Sequence, residues 1–468
     1  MTVLRQCWLV AGFSVGAAAC SSSSDTGHTP LPQLIYQGGP LLSAPNVVTV
    51  TFANDTLASQ VGDLGASLTS SAWWNIVRPT YCAGDGGICV GDGPRGSSVV
   101  LPGSPASSYT DSDQGQASTL QQLLSAAFAA GTLPKPEAND VFVIYFPVAP
   151  VDGGTTPQTT VTLGGMPSCM EGGFDGYHNF MAVNGQQVPY AVVMECPPLE
   201  PMFPTVPTID LLQNTTITTS HEVFESSSDP IPTTGFALAL DLSDLNNLGW
   251  ADIVGVEGAD LCVDPFGLEQ DETSDGTYTV QRIWSNSRAA AGIDPCLPVP
   301  AGEAYFNTAP RGSSFYVVDV GGSVTFEVDA WSSGPIGDWT LIPQDWSAST
   351  TSSYLGFSIA GGQESAAGPQ IQVHNGSRIE VTVTLLADPG SLPTQEADGS
   401  LVSFSGDGAN PTAAHYWPFV VMSVADAADA GIPQTAARLD SPARVRSGPR
   451  IHRYGSPGRR ALAGVRSF

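Results

Sequence analysis

Lysine occurs once in 468 residues, at Lys135, and only 13% of the chain is charged. The formal net charge is −28, and eight of the sixteen basic residues are arginines between Arg438 and Arg466. The remainder is therefore more acidic than the total, which argues against a nucleic-acid partner because phosphate binding needs clustered Lys and Arg. No stretch reaches eighteen apolar residues, so no segment has the pattern of a spanning helix. No C-x-x-C pair occurs, which argues against a zinc ribbon. What is abundant is glycine (51) and proline (38), a balance that favours short strands and loops over a helical bundle.

The N-terminus points to export. Arg5 precedes the apolar run "WLVAGFSVGAAA", which ends at Cys20 and a serine run. Twelve apolar residues suit a signal-peptide core. The pattern predicts a signal peptide over 1–19, lipidation of Cys20 and a tether over 20–34, hence a bacterial lipoprotein held at the outer membrane or cell surface by lipid alone. The alternative is ordinary cleavage with Cys20 incidental. "GFSVG" (12–16) matches a nucleophile elbow, but it lies in the segment to be removed. Six cysteines remain after Cys7 and Cys20, which reads as three disulfides. A short loop favours Cys82–Cys89, a turn-rich excursion before a strand favours Cys169–Cys196, and closure of an irregular region favours Cys262–Cys296, among fifteen possible connectivities.

"NVVTVTF" (46–52) alternates like a strand, and 56–68 and 118–130 carry helical stripes. "DVFVIYFP" (140–147) and "YAVVMEC" (190–196) are apolar runs typical of buried strands. This order predicts an α/β domain over 35–297. "CLPVPAGEA" (296–304) reads as a linker. Alternating segments beyond it predict an Ig-like β-sandwich over 303–428, dispensable for any chemistry upstream. The tail, 431–468, is Arg/Pro/Gly/Ser-rich and is expected to be disordered.

One stretch carries candidate chemistry: "TTSHEVFESSSDP" (218–230). On a helix, His221 and Glu225 at i and i+4 share a face and can offer a nitrogen and an oxygen to Zn²⁺. Glu222, rotated about 100° away, can stand beside the ion as general base. The alternative is a solvated Glu-His face. A third ligand is needed. Asp229 is one turn on but precedes Pro230, where a helix tends to end. Glu257 in "GVEGADLC" is the favoured third ligand, with Asp260 behind it orienting His221. His178 in "DGYHN" is a further ligand or substrate contact, or a structural turn residue. "DETSDG" (271–276) hints at calcium without matching an EF-hand loop. His374 and His415 read as surface residues.

Several segments in order resemble the secreted Exordium-like (phosphate-induced) family and its bacterial relatives, taken as zincin-like. They are "YQGGPLLSAPNVVTVTF", "SSAWWNIVRPTYC", "DVFVIYFP", "GGFDGYHN", "SHEVFESSSDP", "LGWADIVGVEGADLC" and "VQRIWSNSRAAAGIDPC", covering about 35–297. The resemblance implies a zincin-like α/β fold, with His221 and Glu225 as zinc ligands, Glu222 as base, and a further carboxylate from the 257–260 segment. Glu225 stands where better-understood zinc peptidases have a second histidine. The expected activity is zinc-dependent hydrolysis of peptide bonds in a peptide or protein substrate. The alternative is a non-catalytic cell-surface binding lipoprotein with a degenerate or structural metal site.

Overall fold

The computed structural model describes residues 28–429, 432 and 451–454, except 85, 113–117, 148–158, 171–172, 199–202, 204–205, 207, 240–244, 267, 269–271, 275, 350–351 and 393–394. The segments expected as signal peptide and tether, with Cys20, lie outside the described residues except for 28–34, as does most of the expected tail.

Apolar runs set up a six-stranded sheet. Its order is Ile451–Tyr454, Gly173–Val183, Gln186–Met194, Asp140–Phe146, Asn46–Phe52 and Ser97–Leu101. The last four are parallel. Gly173–Val183 runs antiparallel to Gln186–Met194. The turn between them is Asn184-Gly185, both at positive φ, the pair that best suits a two-residue hairpin. Every residue of Asp140–Phe146 is buried, as a strand covered on both faces requires. Phe142 and Ile144 pack with Leu120 and Leu124 of the helix Thr119–Ala129. Val141 and Val143 share a core with Val61 and Leu64 of Ala58–Ser67 and with Val223 and Phe224 of the long helix Leu211–Ser228.

The α/β, zincin-like class expected for 35–297 is corrected by the balance of elements. Strand takes 37% of the described residues against 21% for helix. Besides the six-stranded sheet, small sheets form at Leu34–Tyr36 with Phe236–Leu238, Glu272–Ser274 with Thr279–Gln281, Ile283–Trp284 with Cys296–Leu297, and among Ser108–Asp111, Thr160–Leu163 and Met166–Pro167. The physical reason is composition. Thr, Val, Ile and aromatic residues recur through the strands of this region, and β-branched and aromatic side chains form helix less readily than they suit a pleated strand.

Residues beyond the expected linker form a sandwich-like pair of sheets. Four strands lie in the order Phe306–Pro310, Ser323–Ser332, Arg378–Leu385, Leu355–Ile359. Six lie in the order Phe315–Val318, Ala414–Ser423, Ala397–Ser405, Trp339–Asp345, Gly368–Val373, Gln363–Ser365. Phe306 meets Trp339 at 5.3 Å and Phe326 meets Phe419 at 5.9 Å between ring centres. The sandwich is not set apart from the first region. Trp250 lies 5.6 Å from Trp417 and 5.8 Å from Tyr416, and Phe266 lies 5.1 Å from Phe404. One hydrophobic core runs from Trp74 through Trp284 to Trp417.

Three disulfides are formed, Cys82–Cys89, Cys169–Cys196 and Cys262–Cys296. They mark an exported protein. No helix among the described residues is long and apolar enough to cross a membrane. The tail expectation is corrected in one place: Ile451–Tyr454 is a strand on the sheet edge. Its sequence, IHRY, is a short β-prone run between Pro449 and Pro457, and the open edge of Gly173–Val183 supplies its partner.

Candidate metal centre

The helix Leu211–Ser228 is built from residues that seldom favour a buried helix. A capping box starts it: the Asp210 carboxylate accepts from Gln213 N at 2.8 Å, and Gln213 Oε1 accepts from Asp210 N at 2.9 Å. The hydroxyls of Thr215, Thr218, Thr219, Ser220, Ser227 and Ser228 then donate to carbonyls one turn back. Their polar atoms are thus satisfied inside the helix, which is buried from Thr215 to Ser228. Asp229 closes it. Its carboxylate accepts from the N–H groups of Thr233, Thr234 and Gly235 at 2.6, 3.0 and 2.6 Å. Asp229, an alternative ligand by sequence, is therefore spent on backbone, as the residue before Pro230 in a turn.

His221 of this helix and His178 of the neighbouring sheet both approach Glu225, and hydrogen bonds fix their tautomers. Gln281 Nε2 donates to the Ala259 carbonyl at 2.6 Å, so Oε1 faces His221 and accepts from Nδ1–H at 2.9 Å. In a neutral ring the His221 lone pair is then on Nε2, 3.1 Å from Glu225 Oε2 and 3.5 Å from Asp260 Oδ1. His178, on the strand Gly173–Val183, donates from Nε2 to the Asp229 carbonyl at 3.1 Å. Its Nδ1 lies 3.6 Å from Glu225 Oε2 and 3.7 Å from Glu222 Oε2. Glu257 Oε1 is 3.8 Å from His178 Nε2.

The carboxylates divide their work. Glu225 Oε1 accepts from the N–H groups of Ala259 and Asp260, and Asp260 Oδ2 accepts from those of Val256 and Glu257. The second oxygen of each faces His221. Two glycines permit the fit. A Cβ on Gly255 would fall 2.0 Å from Asp260 Oδ2 at a φ of +133°, and one on Gly176 would fall 2.7 Å from Glu222 Oε1. The donor atoms form two trios sharing Glu225: His178, Glu222, Glu225 and His221, Glu225, Asp260, each within 4.8 Å.

Full burial makes this arrangement unstable as bare charges. His178 and His221 are inaccessible to solvent, and Glu222, Glu225, Glu257 and Asp260 are at most 2% exposed. Both oxygens of Glu222 and Glu257, and Nδ1 of His178, have no hydrogen-bond partner. Buried polar atoms are rarely left so, and an unpaired buried carboxylate is costly. Burial pushes the Glu222 carboxyl up to about 7, with Glu225 adding to the rise and both histidines opposing it. Burial, then Glu225, Asp229 and Asp260, drive Glu257 well above its usual range. Burial alone would lower His221, but Glu225, Glu222 and Asp260 outweigh it and raise its pKa well above the ordinary imidazole value. His178 is raised by Glu222, Glu225 and Asp229 against the same burial. A cation or shared protons must compensate this group, and imidazole nitrogens with carboxylate oxygens are donors that zinc accepts.

Sequence reasoning named His221, Glu222, Glu225, Glu257, Asp260 and His178, and the structure brings all six together. It sets Asp260, expected behind the ligands, in a trio with His221, and Glu257, expected among them, on the His178 side. Gln281, which orients His221, was missed; its signal was a polar residue between Val280 and Ile283 in a strand-like run. Asp175, whose carboxyl burial lifts to about 7 near His221, was missed as well. In "DETSDG", Glu272–Ser274 is a hairpin strand, and Asp271 and Asp275 lie outside the described residues. His415 is not a surface residue. It is half-buried, 4.5 Å from Tyr305, and burial with nearby Arg282 lowers it to about 3.

No family model matches the chain, and no curated protein does. Among solved structures it is similar to OgpA from Akkermansia muciniphila at 11% identity and TM-score 0.21, over 85% of this chain and 97% of that one. It is similar to domains 4 and 5 of the S-layer protein SbsC at 15% identity and TM-score 0.17, over 26% of this chain and 47% of that one. It also resembles the BIgI domain of beta protein from S. agalactiae at 14% identity and TM-score 0.15, over 26% of this chain and 96% of that one. The chain thus spans about half the length of the S-layer fragment. Likenesses this slight carry no argument about function, which rests on the buried cluster alone.

Proposed function

We propose that this exported protein is a zinc-dependent peptidase, held at the cell surface by a lipid on Cys20. The observation that carries the reading is the cluster of buried donor atoms around Glu225, in which both oxygens of Glu222 and Glu257 and Nδ1 of His178 lack a hydrogen-bond partner. His221, Glu225 and Asp260 would hold the ion, with His178 or Glu257 completing the set. The ion would supply compensating positive charge and Lewis acidity toward a carbonyl. Glu222 works beside it as the acid–base group. With its carboxyl raised to about 7, it can take a proton from water and return it to the leaving amine nitrogen near neutral pH. Gln281 keeps the His221 ring in the tautomer whose Nε2 faces the carboxylates.

Pure protein should carry about one zinc per chain, lost in His221→Ala. Glu222→Gln should keep the metal and lose hydrolysis of a peptide library by roughly 10²-fold or more. Wild-type hydrolysis by that variant would sink the reading. One observation favours a second reading, a surface binding protein with a structural metal: every donor is closed off from solvent. That reading expects tightly held zinc and no hydrolysis in any variant.

A further inference from the structure

Without Ile451–Tyr454, the strand Gly173–Val183 would be an open edge, presenting a row of unpaired N–H and C=O groups. That edge runs beside the cluster. It carries His178, and at Gly176 its backbone approaches Glu222 so closely that no side chain fits between them. The tail strand pairs here antiparallel, Ile451 opposite Tyr177, His452 opposite Gly176, Arg453 opposite Phe174 and Tyr454 opposite Gly173. The register slips between His452 and Arg453, opposite the step from Gly176 to Phe174. The backbone of 451–452 therefore lies across the strand from the point where Glu222 is nearest.

Two features of the sequence suit this role. Pro449 and Pro457 bracket the segment, and proline, which donates nothing to a ladder, limits the length of any strand between them. The segment also belongs to the one basic part of an acidic chain: residues 431–468 hold eight arginines and a single acid, Asp440. Charge draws such a tail to the acidic body, and main-chain pairing gives it a fixed seat.

We propose that the outer edge of Gly173–Val183 is a seat for an extended, basic polypeptide segment laid antiparallel beside Glu222, and that residues 451–454 fill it as a self-inhibitory occupant. A substrate chain takes the same edge when the tail leaves. The inhibitory half rests on the peptidase reading above; the occupancy of the edge does not.

The test uses the full chain. His452→Pro with Arg453→Pro removes two backbone donors, and Ile451→Gly with Tyr454→Gly weakens the strand without a forced kink. Amide hydrogen exchange over 175–177, beyond the Gly173 and Phe174 groups that pair with Met170 and Cys169, should be slow in the wild type and at least ~10-fold faster in both variants, since edge amides lose their partners. A synthetic peptide spanning 447–458 should restore protection when added to either variant. Hydrolysis of an Arg-containing reporter peptide by zinc-loaded protein should rise several-fold in the variants and fall again with the synthetic peptide. Equal exchange in wild type and variants, or no rescue by the peptide, overturns the proposal. Restored protection with equal hydrolysis in wild type and variants overturns self-inhibition and leaves the peptidase reading standing. Restored protection with no hydrolysis by any chain overturns the peptidase reading and leaves the edge occupancy standing.

Discussion

Asp345 in the sandwich and Glu257 near the six-stranded sheet are both buried carboxylates, and their surroundings differ completely. Asp345 accepts from Ser347 N, Ser353 Oγ, Tyr354 N and Leu355 N at 2.7–3.1 Å. Glu257 accepts from nothing. The sandwich uses its buried acid to fold a loop back on itself, and the chain supplies every donor. The first region gathers acids around two histidines and supplies too few donors. A buried group that the chain satisfies is structural, and one that it leaves unsatisfied points to something from outside.

The largest effect expected concerns whether these two regions can be parted. By sequence the sandwich is dispensable, since it lacks cysteines, carries no candidate catalytic pair and follows a Pro-rich stretch. The seam of Trp250, Phe266, Phe404, Tyr416 and Trp417 argues otherwise. Losing one large buried aromatic costs about 3–5 kcal/mol, against total stabilities of about 5–15 kcal/mol. A chain ending near residue 299 should therefore show no cooperative unfolding transition by circular dichroism. A sharp transition together with retained zinc would restore the sequence-based view of independent domains.

Next in size is the contrast itself. Asp345→Ala strands three N–H groups and a hydroxyl, and each donor left dry costs about 1–3 kcal/mol. Urea unfolding should show that loss with or without metal. Burial and the neighbouring acids already hold the Glu257 carboxyl well above its usual range, so Glu257→Gln replaces a group kept neutral without metal, and metal-free protein should be unchanged or more stable. The stabilisation that added zinc gives the wild type should shrink in that variant. Equal losses at the two positions in metal-free protein would end the distinction between satisfied and unsatisfied acids.

Local order was legible where one segment decides its own state. The stripe at Leu120 and Leu124 with Ser118 in front does become a capped helix, Ser118 Oγ accepting from Gln121 N at 3.0 Å. The runs at 140 and 190 are strands. The i, i+4 pair His221 and Glu225 does share a helix face. Pairings across long sequence distance were not legible. Ile451–Tyr454 finds its partner nearly three hundred residues away, and Leu34–Tyr36 pairs with Phe236–Leu238; neither segment alternates. Gln281 is visible only once the hairpin at 272–281 turns it toward His221. Thr215 to Thr219 look like poor helix formers until their hydroxyls are seen to bond within the helix.

The smallest effect expected extends the contrast to a pair away from the histidines. Glu195 follows the strand Gln186–Met194 and Asp55 follows Asn46–Phe52, and each leaves one buried oxygen without a hydrogen-bond partner. Burial, then the neighbouring Asp55, raises Glu195 from 4.5 to about 9, and burial raises Asp55 too. Between pH 4.5 and 9 the folded chain thus holds a proton at Glu195 that the unfolded chain has released. Stability falls with rising pH wherever the folded state binds more protons, so this contribution declines across the window and is fully lost above 9. A tenfold difference in proton affinity between the folded and unfolded chains corresponds to about 1.4 kcal/mol, so even part of this rise is measurable. Glu195→Gln cannot ionise. It should flatten the decline in urea-unfolding stability between pH 5 and 9 and be more stable than the wild type at the upper end. Parallel pH profiles for the two proteins would mean that solvent reaches this pair in the folded state. The rule of unsatisfied buried acids would then hold only around His178 and His221.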